Sequence, residues 1–108
     1  MGEKDQTGSK ICILVTSSPE SENSRTLAKI TEAAINMGQQ VQIFLMCDGV
    51  YHILHQNFLA LVEKGAEATL CAQNAMERGL EKRPGIHFGS QYDLAGMIAQ
   101  SDSFLALT

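Results

Sequence analysis

Two hydrophobic rhythms alternate along this chain: short continuous runs of branched aliphatic residues, and longer stretches in which apolar residues recur every three or four positions. The run Lys10-Ile11-Cys12-Ile13-Leu14-Val15-Thr16 has the near-unbroken β-branched character of a strand covered on both faces. After the turn-rich Ser17-Ser18-Pro19-Glu20-Ser21, apolar residues at Leu27, Ile30, Ala34 and Met37 predict a helix from about residue 22. It stops at Gly38, a residue suited to a left-handed C-cap. Residues 41–46 return to extended structure, and Cys47-Asp48-Gly49 closes that strand with turn chemistry. A helix follows over 55–64, with Phe58, Leu59 and Val62 on one face and Gly65 as its stop. Residues 66–70 form a shorter strand, 72–78 a short helix stopped by Gly79, and 86–88 an edge strand. The pattern closes with a helix over 92–99, carrying Leu94, Ala95 and Ile98, and a strand over 104–107.

Parallel neighbours need helical crossovers, so strands that alternate with helices imply an α/β fold. The expected architecture is a three-layer α/β/α sandwich around a mainly parallel sheet of four or five strands. Residues 10–108 form a single domain, residues 1–9 a polar, flexible N-terminal segment, and no repeat or interdomain linker interrupts them. Strand order is not written in the periodicity.

Composition narrows the function. A chain of 108 residues, 44% hydrophobic and 19% charged, has the balance of one globular domain with a modest core, for which subunit contacts can supply part of the stability. The net charge of −4, with no basic cluster beyond Glu81-Lys82-Arg83, leaves no electrostatic footprint for nucleic acid. No apolar stretch approaches the roughly 20 residues that span a bilayer, and the polar start lacks the apolar run of a signal peptide. Gly2 follows Met1, yet Gln6 occupies the position where myristoylation wants Ser or Thr. These features predict a cytoplasmic protein that binds neither nucleic acid nor membrane.

Three cysteines with no CxxC pair support neither a disulfide framework nor a zinc ribbon, so each is expected as a free thiol. Cys12 alternates with Ile11 and Ile13 and reads as a core thiol. Cys71 stands where the strand-like run gives way to Ala72-Gln73-Asn74-Ala75-Met76-Glu77-Arg78. A thiol there would face the amides of a helix N-terminus, whose partial positive charge favours thiolate. The dipole contributes roughly 0.3–1 kcal/mol at an exposed terminus, a modest activation. Position alone fits an inert buried cysteine equally. Cys47 ends the preceding strand beside Asp48, whose carboxylate would disfavour a thiolate; it is either structural or a secondary thiol.

In open α/β sheets the functional crevice lies beyond the carboxyl ends of the strands. The loops at 16–21 and 47–52 and the turn at Cys71 converge there, which makes Ser17, Cys47 and Asp48 candidate pocket residues beside Cys71. Asp48-Gly49 also suits a plain turn. Thr16-Ser17-Ser18-Pro19 lacks the glycines of a phosphate-binding loop, and no GxSxG elbow is present. Cys47, His52 and His55 do not have a characteristic zinc spacing. Arg78, two helical turns beyond Cys71, suits the negative end of its helix.

The segment Cys71-Ala72-Gln73-Asn74-Ala75-Met76-Glu77-Arg78-Gly79-Leu80 resembles the strand-ending cysteine, alanine-rich helix and Arg-Gly-aliphatic sequence of the DsrE/DsrF-like (DsrE/TusD) family of small sulfur-relay proteins. Ile43-Phe44-Leu45-Met46-Cys47-Asp48-Gly49-Val50 is similar to that family's second strand and its Asp-containing turn, and the last strand follows Ser101-Asp102 as expected. The resemblance implies an α/β sandwich that assembles as a homotrimer or hexamer, or as a hetero-oligomer with sister subunits. It further implies that Cys71 carries sulfane sulfur as a persulfide between donor and acceptor proteins with reactive cysteines. No metal or organic cofactor is called for. The competing expectation is a non-catalytic oligomeric binding or assembly module in which Cys71 is inert.

Overall fold

A computed structural model of the chain describes residues 9–108. The N-terminal segment expected to be flexible lies outside the described residues, apart from Ser9, whose carbonyl accepts a hydrogen bond from the Gln40 amide at 2.9 Å. Five strands, β1 (Lys10–Val15), β2 (Gln40–Leu45), β3 (Glu67–Cys71), β4 (Ile86–Gly89) and β5 (Ser103–Leu107), form one sheet in the order β4-β3-β2-β1-β5. Every pairing is parallel. The connections carry α1 (Asn23–Asn36), a 3-10 helix (Cys47–Leu54) running into α2 (Gln56–Glu63), α3 (Ala72–Glu77) and α4 (Gln91–Gln100).

This order explains how the helices are distributed. From β1 to β4 each crossover steps the same way across the sheet, and right-handed crossovers then place their helices on one face. The last connection reverses direction to bring β5 beside β1, so α4 lies on the opposite face. The result is the expected three-layer α/β/α sandwich, with an entirely parallel sheet.

Alternation along the strands feeds two separate cores. On the well-covered face, Ile13, Val15, Ile43, Leu45 and Leu70 pack with Leu27 of α1, Ile53 of the 3-10 helix, and Phe58 and Leu61 of α2. On the other face Cys12, Phe44 and Cys71 pack with Leu94 of α4, bordered by Leu14, Met46 and Met97. Leu94 is the one buried side chain of α4, an anchor worth about 2 kcal/mol. The helix is held at its start by a capping box: the Ser90 hydroxyl accepts from the Tyr92 amide at 3.2 Å and the Asp93 carboxylate from the Ser90 amide at 2.8 Å. A single short helix leaves much of this layer open. Tyr92 and Ile98 on α4 are 87% and 38% exposed, and Phe104, level with Cys12 on β5, is 44% exposed.

One local expectation is corrected. Cys47-Asp48-Gly49 is the first turn of an eight-residue 3-10 helix rather than a simple turn. The left-handed backbone falls on Cys47 (φ 54°), not on the glycine. Gly49 is required for space, because a Cβ there would collide with the carbonyl of Val15.

Candidate sulfur site at the carboxyl rim of the sheet

β3 runs directly into α3, so Cys71 is both the last strand residue and the N-cap of the helix. Strand alternation turns its side chain to the α4 side of the sheet, into the cluster with Cys12, Phe44 and Leu94. There it is 8% exposed. Its sulfur makes no capping hydrogen bond to the α3 amides, so the direct contact with the helix N-terminus anticipated from the sequence is not made. Cys12, on the same face, is fully buried, and burial pushes its thiol up from the ordinary value. It is a core thiol, as its place in β1 implied.

Cys47 is the exposed cysteine. The 3-10 helix that it opens is clamped to α3 by two side chains. Asn74 accepts from the Cys47 amide through Oδ1 at 2.8 Å. Arg78 donates through Nε to the Asp48 carboxylate at 3.1 Å while its Nη1 donates to the Asn74 carbonyl at 3.1 Å. Arg78 thus satisfies a late carbonyl of its own helix, as expected, and also neutralises Asp48, which the sequence did not indicate. The pair is partly solvated and worth about 1 kcal/mol at most, so its role is to set position more than to add stability.

Ser17 follows β1 and is taken up in a separate hydrogen-bond group. Its hydroxyl accepts from the Asn23 side chain at 3.1 Å, and its carbonyl accepts from Nε2 of His52 at 3.2 Å. His52 is 3% exposed and stacks obliquely on Phe58, with ring centroids 5.8 Å apart. Burial pushes its imidazole below the ordinary value of 6.5, and the bond to Ser17 opposes that only partly. A neutral ring donating through Nε2 fits this environment. Among the described residues no group of three or more His, Cys, Asp or Glu side chains is placed to hold a metal ion, and Cys47, His52 and His55 are not brought together as one.

The loops after β1 and β2 frame an open groove of about 590 Å³, lined by Ser18, Glu20, Asp48, Tyr51, Leu54 and His55. Of the candidates read from the sequence, Asp48 lines this groove, Cys47 is its chain neighbour, Ser17 lies behind it, and Cys71 points into the other layer. Asn74, Tyr51 and the buried role of His52 were not legible beforehand. The one available signal was the polar Asn74 and Arg78 spaced four apart on a short helix, which places them on one face.

A profile of the DsrE/DsrF-like family matches residues 9–107. The chain belongs to the DsrE/DsrF-like family. At the level of the family this suggests sulfur relay with partner proteins. An uncharacterized protein of Methanopyrus kandleri is 26% identical over 110 residues, covering 88% of this chain and 91% of that protein. The fold is that of the ychN protein from E. coli, with a TM-score of 0.79, 23% identity, and coverage of 91% of this chain and 98% of that one. A conserved protein of unknown function from Bacteroides thetaiotaomicron superimposes with a TM-score of 0.76 at 16% identity, covering 94% and 97%. Among the described residues no helix is long and apolar enough to cross a membrane.

Proposed function

We propose that this DsrE/DsrF-like chain is a small sulfur carrier or sulfurtransferase subunit that works in the cytoplasm, where thiols stay reduced. The observation that carries the proposal is the place of Cys71: a thiol at the carboxyl end of an interior parallel strand, on the strand-to-helix junction, in a chain matched to this family over nearly its whole described length.

In the proposed reaction the Cys71 thiolate attacks the outer sulfur of a donor persulfide. A new S–S bond forms at Cys71, the donor's S–S bond breaks, and the donor leaves as a thiolate. The outer sulfur then passes to an acceptor thiolate by the same exchange. The donor and acceptor are proteins with reactive cysteines. The working particle is an oligomer, a homotrimer or hexamer or an assembly with sister subunits, in which the open layer carrying Tyr92, Ile98 and Phe104 is covered.

A second reading is favoured by the burial of Cys71 and its missing cap hydrogen bond: a non-catalytic assembly module with an inert thiol. One measurement separates the two. Intact mass after incubation with inorganic polysulfide is expected to rise by about 32 Da, one sulfur atom, in the wild type and in Cys12→Ser but not in Cys71→Ser. No gain in the wild type, or an equal gain in Cys71→Ser, favours the inert module.

A further inference from the structure

On the face of the sheet opposite to Cys71, a cavity of about 60 Å³ lies between α1 and α2, with the exposed His55 and Asn57 on its wall toward solvent. Its inner wall is made by Leu27, Phe58 and Leu61, all buried, together with His52. His52 is 3% exposed, and its one hydrogen bond joins Nε2 to the Ser17 carbonyl. A carbonyl can only accept, so Nε2 carries the proton and Nδ1 of the neutral ring keeps a lone pair. Among the described residues nothing donates to that lone pair. The hydroxyl of Ser24, also on the cavity wall, is already given to the Ser21 carbonyl at 2.9 Å. Size, polarity and charge then define what fits. An apolar cavity of roughly 150 Å³ holds benzene, so this one takes about two or three non-hydrogen atoms before a longer molecule must extend through the mouth. Water needs two to four polar partners, and this inner wall offers one. A carboxylate has no proton to give to Nδ1, and an ammonium group would leave water for a wall that carries no carboxylate.

We infer that this cavity is a binding site for a small neutral molecule with one O–H or S–H donor on a short apolar body, an aliphatic alcohol or thiol. Its head donates to Nδ1 of His52, and its body packs against Leu27, Phe58 and Leu61. A bound molecule touches α1, the 3-10 helix and α2 together, because each contributes to the wall. The site is independent of the sulfur exchange proposed at Cys71, whose side chain belongs to the other layer.

The test follows the isotope-labelled full chain by NMR near neutral pH during titration with ethanol, with ethanethiol and, as a molecule of similar size without a donor, with acetonitrile. At the ceiling for very small ligands, a molecule of this size reaches a Kd of about 1 mM. Ethanol or ethanethiol is expected to shift the methyl signals of Leu27 and Leu61 and the Nδ1 signal of His52 along one saturable curve, with a Kd of about 1–20 mM. The tighter of the two identifies the preferred head group. Acetonitrile should bind roughly fivefold more weakly or worse and leave Nδ1 unmoved. His52→Phe keeps a ring but removes the lone pair, and Ala28→Val adds a branched side chain to the cavity wall while His52 stays in place. Each should weaken binding of the alcohol or thiol roughly fivefold or more, with the circular dichroism of the fold retained in Ala28→Val. No saturable shift with either donor in the wild type overturns the inference and leaves a cavity for water alone. Equal binding of acetonitrile also overturns it, as does unchanged affinity in Ala28→Val. Sulfur loading of Cys71 is read separately by intact mass, so failure at one site is distinguished from failure at the other.

Discussion

At the residue scale, the chemistry of the rim is set by what each side chain is packed against. Cys12, Cys47 and Cys71 have the same intrinsic reactivity, yet one is sealed in the core, one opens to solvent at the start of a helix, and one sits under Leu94. His52 shows the same dependence. Its ring lies between Phe58 and the Ser17 carbonyl, with Glu20 and His55 as the charged groups that bear on it. The folded protein resists a proton that the unfolded chain accepts near 6.5, so stability is complete above that value and declines as pH falls through it toward the depressed folded value. Urea unfolding between roughly pH 7 and 5.5 should show a loss approaching about 1.4 kcal/mol per pH unit, the limit for one proton. His52→Gln should flatten that slope. Equal slopes in the two proteins would show that this ring does not control it.

At the element scale, α4 is the cover over Cys71, with Leu94 as its one buried side chain and the Ser90 capping box as its other fixing. Weakening the cap should open the cover without touching the thiol. Ser90→Ala is expected to cost about 1 kcal/mol and to raise the alkylation rate of Cys71 about fivefold, with Cys47 unaffected. An unchanged Cys71 rate would mean that access does not run under this helix. Element type and order were legible in the sequence because periodicity reports which faces are buried. The unbroken run at 10–16 and the three-and-four spacing from Leu27 correspond to β1 and α1 almost to the residue. The 3-10 helix was missed for the same physical reason. Its geometry depends on Val50 and Ile53 reaching the sheet, and on Asn74 and Arg78 gripping Cys47 and Asp48 from elsewhere in the chain, so local turn residues gave no hint of it.

At the scale of the whole molecule, one reversal of strand order makes the two faces unequal. Three helices and the 3-10 segment cover one side, and α4 alone covers the other. The exposed Tyr92, Ile98 and Phe104 on that side are the expected contact between copies. Light scattering should therefore give a mass that is a multiple of the 11.7 kDa chain. Ile98→Lys combined with Phe104→Glu should shift it toward the monomer, with the circular dichroism of the fold retained. An unchanged mass would place the contact elsewhere. The α/β class, the helix and strand periods, the family resemblance and the strand-end position of Cys71 all follow from near neighbours in the chain, which is why the sequence alone determined them. Tertiary structure alone decided the strand order, the layer into which Cys71 points, the clamp of Asn74 and Arg78 on the Cys47 corner, and the burial of His52. Each of these depends on segments tens of residues apart meeting across the sheet, and that meeting is set by crossover handedness and close packing, which no local pattern records.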